Sequence, residues 1–239
     1  MSILKHIFLY ICSIIRQLIP EQPCLLCGAG GQSEIWCASC DAAMPYLREA
    51  YCPICALPTL EGAICGHCLK KMPHFKRTVA VFAYAFPLNK LILAMKYGEK
   101  FQLAQILGSK LADCASIRPD YLVAMPLHPE RLKQRGFNQA LQLARSIGRQ
   151  LDLPVLPYAC QRVRNTSSQS SLPWKDRKSN VRKAFSCTTE VAGKHVAVVD
   201  DVMTTGASLN ELALALLNAG ATEVSVWVVA RTLPHTDTN

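Results

Sequence analysis

Val196-Ala197-Val198-Val199-Asp200-Asp201-Val202-Met203-Thr204-Thr205-Gly206-Ala207-Ser208 is the stretch that decides how this 239-residue chain is read. Its opening residues are small or β-branched and apolar without alternation, the pattern of a strand covered on both faces of a parallel sheet. Asp200 and Asp201 follow at the carboxyl end of that strand, the edge of an open α/β sheet at which ligands bind. Thr204, Thr205 and Gly206 then make a turn whose backbone N–H groups can converge on one concavity, with Gly206 free to take a positive φ. Beyond it Leu209, Leu212, Leu216 and Leu217 line one face of a predicted helix that stops at Gly220 and adds its dipole to an anion site. Ala207 and Ser208 open this helix, and the Ser208 and threonine hydroxyls can donate as well. Adjacent carboxylates repel phosphate, so their partners are sugar hydroxyls or a divalent cation. The run therefore predicts a holder for a ribose 5-phosphate, against the plainer alternative of an acidic, threonine-rich surface turn after a core strand.

Outward from this run, strand and helix patterns alternate. Thr78 to Tyr84 reads as a strand, Leu88 to Met95 and Phe101 to Cys114 as helices, Tyr121 to Met125 as a buried strand, Asn138 to Gln150 as a helix and Val224 to Ala230 as the last strand. Such alternation predicts a doubly wound, mainly parallel α/β sheet. Asn165 to Asn180 is too polar for a covered strand and reads as a mobile loop.

Twelve cysteines are present, and eight form Cys-x-x-Cys pairs: Cys24 with Cys27, Cys37 with Cys40, Cys52 with Cys55 and Cys65 with Cys68. The second four repeat the first four 28 positions later, an internal duplication. Two Cys-x-x-Cys turns complete a four-sulfur shell, the ligand set of structural zinc, so two zinc ions are expected. Disulfides or redox pairs fit less well, since no cleavable signal is evident and redox pairs do not come in duplicated fours. Sequential ribbons and a cross-braced pairing share this spacing. Cys12, Cys114, Cys160 and Cys187 read as ordinary core or loop residues. The metal module holds too few large apolar side chains to fold unaided, so metal binding stabilises it.

At the amino terminus, residues 1–20 are mostly apolar but lack a small-residue cleavage site and fall short of a membrane span. Ile3, Ile7, Ile11, Ile14 and Leu18 follow helical spacing, which predicts an amphipathic helix that packs on protein, with peripheral membrane contact as the lesser option. The expected organisation is that helix over 1–20, a double zinc ribbon over 21–74 and an α/β domain over 75–239, in a cytoplasmic protein with no integral span and an optional place at the inner membrane face.

The formal net charge is +9, and it is concentrated: from His128 to Lys183 there are 12 Lys and Arg against three acids, while the rest of the chain carries 14 of each sign. Clustering of this kind attracts diphosphate or a nucleic-acid backbone. Arg131, Lys133 and Arg135 are candidate nucleic-acid contacts, with Phe137 and Trp174 as stacking residues. Core packing is an equal reading for Phe137, and exposure the better one for Trp174.

The Val196–Ser208 run resembles the phosphoribosyl-diphosphate signature of type I phosphoribosyltransferases. Further elements sharpen this: Lys96-Tyr97-Gly98, Met125-Pro126-Leu127-His128, Arg135-Gly136-Phe137-Asn138-Gln139, and Gln169, Arg177, Asn180 and Val181 together resemble the ComF family of phosphoribosyltransferase-like proteins, linked to natural competence and DNA utilisation. The resemblance covers nearly the whole chain and includes the amino-terminal zinc module. It implies that Asp200 and Asp201 hold the ribose hydroxyls, that Met203, Thr204, Thr205, Gly206, Ala207 and Ser208 hold the 5-phosphate, and that the polar loop closes over the site, with magnesium accompanying the ligand; Arg177 and Arg182, by the composition of that loop, are candidates for the diphosphate together with Lys96 and Tyr97. It implies single-stranded DNA and the DNA-uptake machinery, including a helicase-type protein, as partners. The expected role is a phosphoribosyl-diphosphate-binding accessory protein of DNA uptake; the competing expectation is an active phosphoribosyltransferase, for which no catalytic residue or acceptor pocket is recognisable in the sequence.

Overall fold

The computed structural model describes residues 23–30, 35–48, 50–97, 101–164 and 183–234. The amphipathic segment expected over 1–20, the loop over 165–180, and Gly98, Trp174, Arg177 and Arg182 lie outside the described residues. Contacts divide the chain into two compact units, Met1–Met44 and Pro45–Asn239. The first holds the first cysteine tetrad and helix α1 (Ala38–Ala42). Within it the buried Trp36 donates its indole N–H to Asp41 Oδ1 at 2.9 Å.

The second unit contains α2 (Gly66–Lys70), β1 (Arg77–Ala83), α3 (Leu88–Tyr97), α4 (Phe101–Asp113), β2 (Tyr121–Ala124), α5 (Pro129–Arg135), α6 (Gln139–Leu151), β3 (Cys160–Arg162), β4 (Phe185–Cys187), β5 (His195–Met203), α7 (Ala207–Asn218) and β6 (Glu223–Arg231). A four-stranded parallel sheet runs in the order β1-β6-β5-β2. Val196 to Val199 on β5 and Val226 to Ala230 on β6 are fully buried, which requires cover on both faces and explains why these strands read as unbroken apolar runs. Helix α4 packs on β1, β6 and α6; α6 covers β2 and β5; α7 lies on β5 and β6. The fold is the expected doubly wound α/β sheet.

Several details depart from the sequence reading. The second tetrad shares a compact unit with the sheet and is tied to it: Thr78 donates its N–H to Pro53 O at 3.0 Å and its Oγ1 hydroxyl to Ile54 O at 2.6 Å. Strand β5 does not end at the acids but continues to Met203, because β6 pairs with it as far as Met203↔Arg231. Helix α5 was not anticipated, although Pro129 at its start and Gly136 at its C-cap, with φ 78°, are ordinary helix punctuation. Strands β3 and β4 pair antiparallel with each other and stand apart from the main sheet.

Candidate ligand site and metal centres

Pairing between β2 and β5 stops at Ala124↔Val199, and Met125 N donates to Val199 O at 2.9 Å as the β2 chain leaves the sheet. Asp200 and Asp201 therefore emerge on β5 just past the end of β2, with β6 still flanking them on the other side. Asp201 is buried and its Oδ2 lies 2.9 Å from Lys96 Nζ, at the last turn of α3, in a pair whose side chains are 21% and 6% exposed. Gln139 Nε2, at the start of α6, donates to the same oxygen at 3.4 Å, and Arg135 Nη1 donates to Gln139 Oε1 at 2.6 Å. Four elements thus converge on the acid pair.

The electrostatics follow from this crowding. Burial, and then the neighbouring Asp201, push Asp200 up to about 8, opposed by the Asp201 backbone N–H and by Lys96. Burial alone would lower Lys96, but the Asp201 carboxylate outweighs it and holds the ammonium above its ordinary value. Arg162, on β3, is pulled down by burial and by Arg131, while Asp200 acts in the opposite sense. Without a ligand the site is an acid pair partly neutralised by one lysine, and hydroxyl donors or a cation would complete it.

In the turn after β5, Gly206 takes the positive φ expected of it. Gly206 has φ 77°, and a Cβ there would fall 2.6 Å from Met203 Cε. Thr205 Oγ1 accepts from Ala207 N at 3.2 Å. The backbone amides of Thr204, Thr205 and Gly206 have no hydrogen-bond partner among the described residues, which leaves donors at the N-terminus of α7 for an anion. Met203 itself is buried beneath this turn, so its side chain supports the site from below.

The Arg135–Gln139 element acquires a structural meaning. Gly136 ends α5; Asn138 caps α6, accepting from Ala140 N at 3.0 Å while its Nδ2 donates to Met125 O at 3.0 Å; Gln139 reaches Asp201. Phe137 packs edge-on against Phe101 at 5.1 Å, and the Arg135 guanidinium lies 5.4 Å from the centre of the exposed Tyr97 ring. An aromatic and cationic surface therefore borders the acid pair. Arg131 and Lys133 share α5 with Arg135, and Lys133 is exposed.

Each cysteine tetrad is gathered in sequence order, Cys24, Cys27, Cys37 and Cys40 in one set and Cys52, Cys55, Cys65 and Cys68 in the other, with the sulfurs of each set within 4.8 Å of one another. This is the sequential pairing rather than the cross-braced one. The spacings Cys27–Cys37, 3.7 Å, and Cys55–Cys65, 3.5 Å, match the edge of about 3.8 Å for a tetrahedron with zinc–sulfur bonds of about 2.3 Å. Backbone amides aim at the sulfurs: the Cys27 N–H is the chief cause that brings Cys24 down to about 6, and burial of Cys52 is outweighed by the Cys65, Cys55 and Ile54 amides, which bring it to about 7. The donor sets fit two structural zinc ions.

Sequence reasoning passed over three features here. Gln139 joins Arg135 to the acid pair. Arg231, at the end of β6, is 4% exposed and donates Nε to Cys55 O at 2.7 Å and Nη1 to Met203 O at 3.0 Å, to Thr204 O and to Thr232 O at 2.8 Å. Cys160 and Cys187 face each other across β3 and β4 with sulfurs 2.8 Å apart.

Comparison with known proteins agrees with this architecture. The double zinc ribbon domain family matches residues 14–69, and the phosphoribosyl transferase domain family matches residues 138–236. The chain is 37% identical over 194 residues to the DNA utilization protein YhgH of Escherichia coli K12, covering 77% of this chain and 86% of that one. It is 36% identical to competence protein F of Haemophilus influenzae, over 70% of this chain and 78% of that one, and 26% identical to competence protein ComFC of Bacillus subtilis, over 82% and 83%. Among the described residues no helix is long and apolar enough to cross a membrane. A duplicated cysteine ribbon joined to a phosphoribosyltransferase-type sheet, together with these relatives, makes this chain a member of the ComF family.

Proposed function

We propose that the protein binds phosphoribosyl diphosphate, or a related nucleotide, at the carboxyl end of β5 and acts in DNA uptake or utilisation by holding single-stranded DNA. One observation carries the ligand reading: two carboxylates stand past the end of β2 and lead directly into a turn whose amides have no partner among the described residues and whose Gly206 is left-handed. Sugar hydroxyls would satisfy Asp200 and Asp201, and the phosphate would take the Thr204, Thr205 and Gly206 amides at the start of α7. Magnesium would supply charge neutralisation between the acids and a diphosphate. Lys96 holds Asp201 in place until a ligand competes for it.

The DNA reading draws on the names of the relatives in Escherichia coli and Haemophilus influenzae and on the surface formed by Arg135, Tyr97, Phe101 and Phe137 beside the acid pair. Guanidinium groups and exposed rings are the means by which single strands are held without sequence preference. Calorimetry with phosphoribosyl diphosphate and magnesium tests the first part: wild type binds with one site and Asp200→Asn plus Asp201→Asn does not. Equal binding by both proteins refutes it. Replacing Arg131, Lys133 and Arg135 by Gln tests the second, with a fall in the salt slope of single-strand binding of about 0.7 per lost phosphate contact. Diphosphate release in the presence of candidate acceptors is the measurement that would instead identify a phosphoribosyltransferase.

A further inference from the structure

Arg231 is a buried cation with no carboxylate partner among the described residues. Its Nε and Nη1 donate to carbonyls from two separate pieces of chain: Cys55 O in the second cysteine tetrad, 2.7 Å from Nε, and Met203 O and Thr204 O at the head of the candidate phosphate turn, with Thr232 O as a fourth acceptor. A buried guanidinium is stable only when hydrogen bonds satisfy it, so displacing either piece leaves both the cation and a carbonyl unpaired. Thr78 makes a parallel connection. Its hydroxyl donates to Ile54 O at 2.6 Å and lies 4.0 Å from Met203 Sδ. Met203 in turn fixes the turn from below, since its Cε fills the place a Cβ on Gly206 would need. A continuous set of contacts therefore runs from the backbone of the Cys52–Cys55 knuckle, through Arg231 and Thr78, to Met203, Thr204 and Gly206.

We infer that Arg231 is a positioning residue that couples metal binding at Cys52, Cys55, Cys65 and Cys68 to phosphate binding at Met203–Ser208, so that zinc in the second tetrad and a phosphoribosyl ligand strengthen each other's binding. The inference rests on the phosphate reading of that turn given above. Zinc fixes the Cys55 carbonyl; the fixed carbonyl holds Arg231; Arg231 holds two carbonyls of the turn, so less order has to be created when the ligand arrives. Coupling between two binding sites is reciprocal, so the ligand must also retain zinc in that tetrad.

The test uses the zinc-loaded full chain. Zinc transfer to a chromophoric chelator is followed with and without phosphoribosyl diphosphate and magnesium, and ligand affinity is measured by calorimetry, in wild type and in Arg231→Lys. The lysine variant keeps the charge but cannot span both pieces of chain. Expected in wild type are two zinc ions per chain, one of which is held on the order of tenfold more tightly when ligand is present. In Arg231→Lys the ligand binds on the order of tenfold more weakly, the factor that reciprocity sets, and no longer changes zinc retention, while the zinc content stays at two. Unchanged ligand affinity, or unchanged coupling, in Arg231→Lys overturns the proposal. So does a wild type that binds ligand without any effect on zinc retention, a result that stands whether or not the variant folds. Wild type that keeps both zinc ions and binds no phosphoribosyl diphosphate instead removes the ligand reading on which the coupling rests.

Discussion

Replacing Asp200 by Asn should remove a pH-dependent penalty that the folded protein carries when no ligand is bound. Burial and the adjacent Asp201 raise this carboxyl from 3.8 to about 8, so between those values the native state keeps a proton that the unfolded chain has released. The contribution of this group to stability is therefore greatest at the acid end of the window and falls as the pH rises toward 8. Each pH unit within the window costs at most about 1.4 kcal/mol, or about 4 kcal/mol between pH 5 and pH 8. The amide keeps an oxygen for the 2.8 Å bond from Asp201 N but has no charge to bury. Lys96, held above its ordinary value, stays charged across the whole window and does not add a slope of its own. Urea unfolding followed by far-ultraviolet circular dichroism, in zinc-replete buffer from pH 5 to pH 8, measures the difference between variant and wild type. The advantage of Asp200→Asn should grow as the pH rises, by at most about 4 kcal/mol. A difference that stays flat or shrinks over that range would refute the assignment of a buried, like-charged pair.

Gly206→Ala should lower stability by about 1–2 kcal/mol, because φ 77° strains any residue with a Cβ and Met203 Cε must move from beneath it; a thermal melt that is unchanged would contradict this. Cys160 and Cys187 form a non-hydrogen-bonded pair, since Thr188 N donates to Ala159 O and Val163 N to Ala184 O on either side of them. Such pairs place Cα atoms about 4.5 Å apart, within disulfide range, so exchange with glutathione disulfide should cross-link them and stabilise the fold by about 3 kcal/mol. Peptide mapping without reductant that finds mixed disulfides with glutathione but no Cys160–Cys187 link counts against the register. Cys65→Ser should leave one zinc ion per chain by atomic absorption; retention of two would show that the tetrads are not independent sets of four sulfurs.

Much of the site was legible because its signals are local. Val196 to Val199 advertise a doubly covered strand, the Asp pair and Gly206 follow at once, and the 28-residue cysteine repeat specifies two shells before any tertiary contact is considered. What was missed depends on register or on distant chain. The acids sit within β5 rather than after it because β6 is the longer partner, a fact set by pairing and not by the composition of β5. Arg231 read as a residue beyond the last strand, yet its role comes from Cys55 and Met203, 176 and 28 positions away. Cys160 and Cys187 meet across 27 positions only through the β3–β4 register. Phe137, equally consistent with stacking or packing on sequence grounds, lies against Phe101. Helix α5 was legible in principle, since Pro129 and Gly136 mark its limits, but seven residues with few apolar side chains give little periodicity.

The strand order has a bearing on how the molecule is made. β6 follows the other described strands in sequence but lies between β1 and β5, and its Val224 carbonyl and Arg231 side chain also engage Lys76 and Cys55. During synthesis, β1 and β5 leave the ribosome with a vacant lane between them, each offering unpaired backbone groups to any passing strand. Only when residues 223–231 emerge can that lane fill, and the same event seats the guanidinium between knuckle and turn. Assembly of the sheet and completion of the ligand-binding edge are thus one late step, so a nascent chain halted before it has neither.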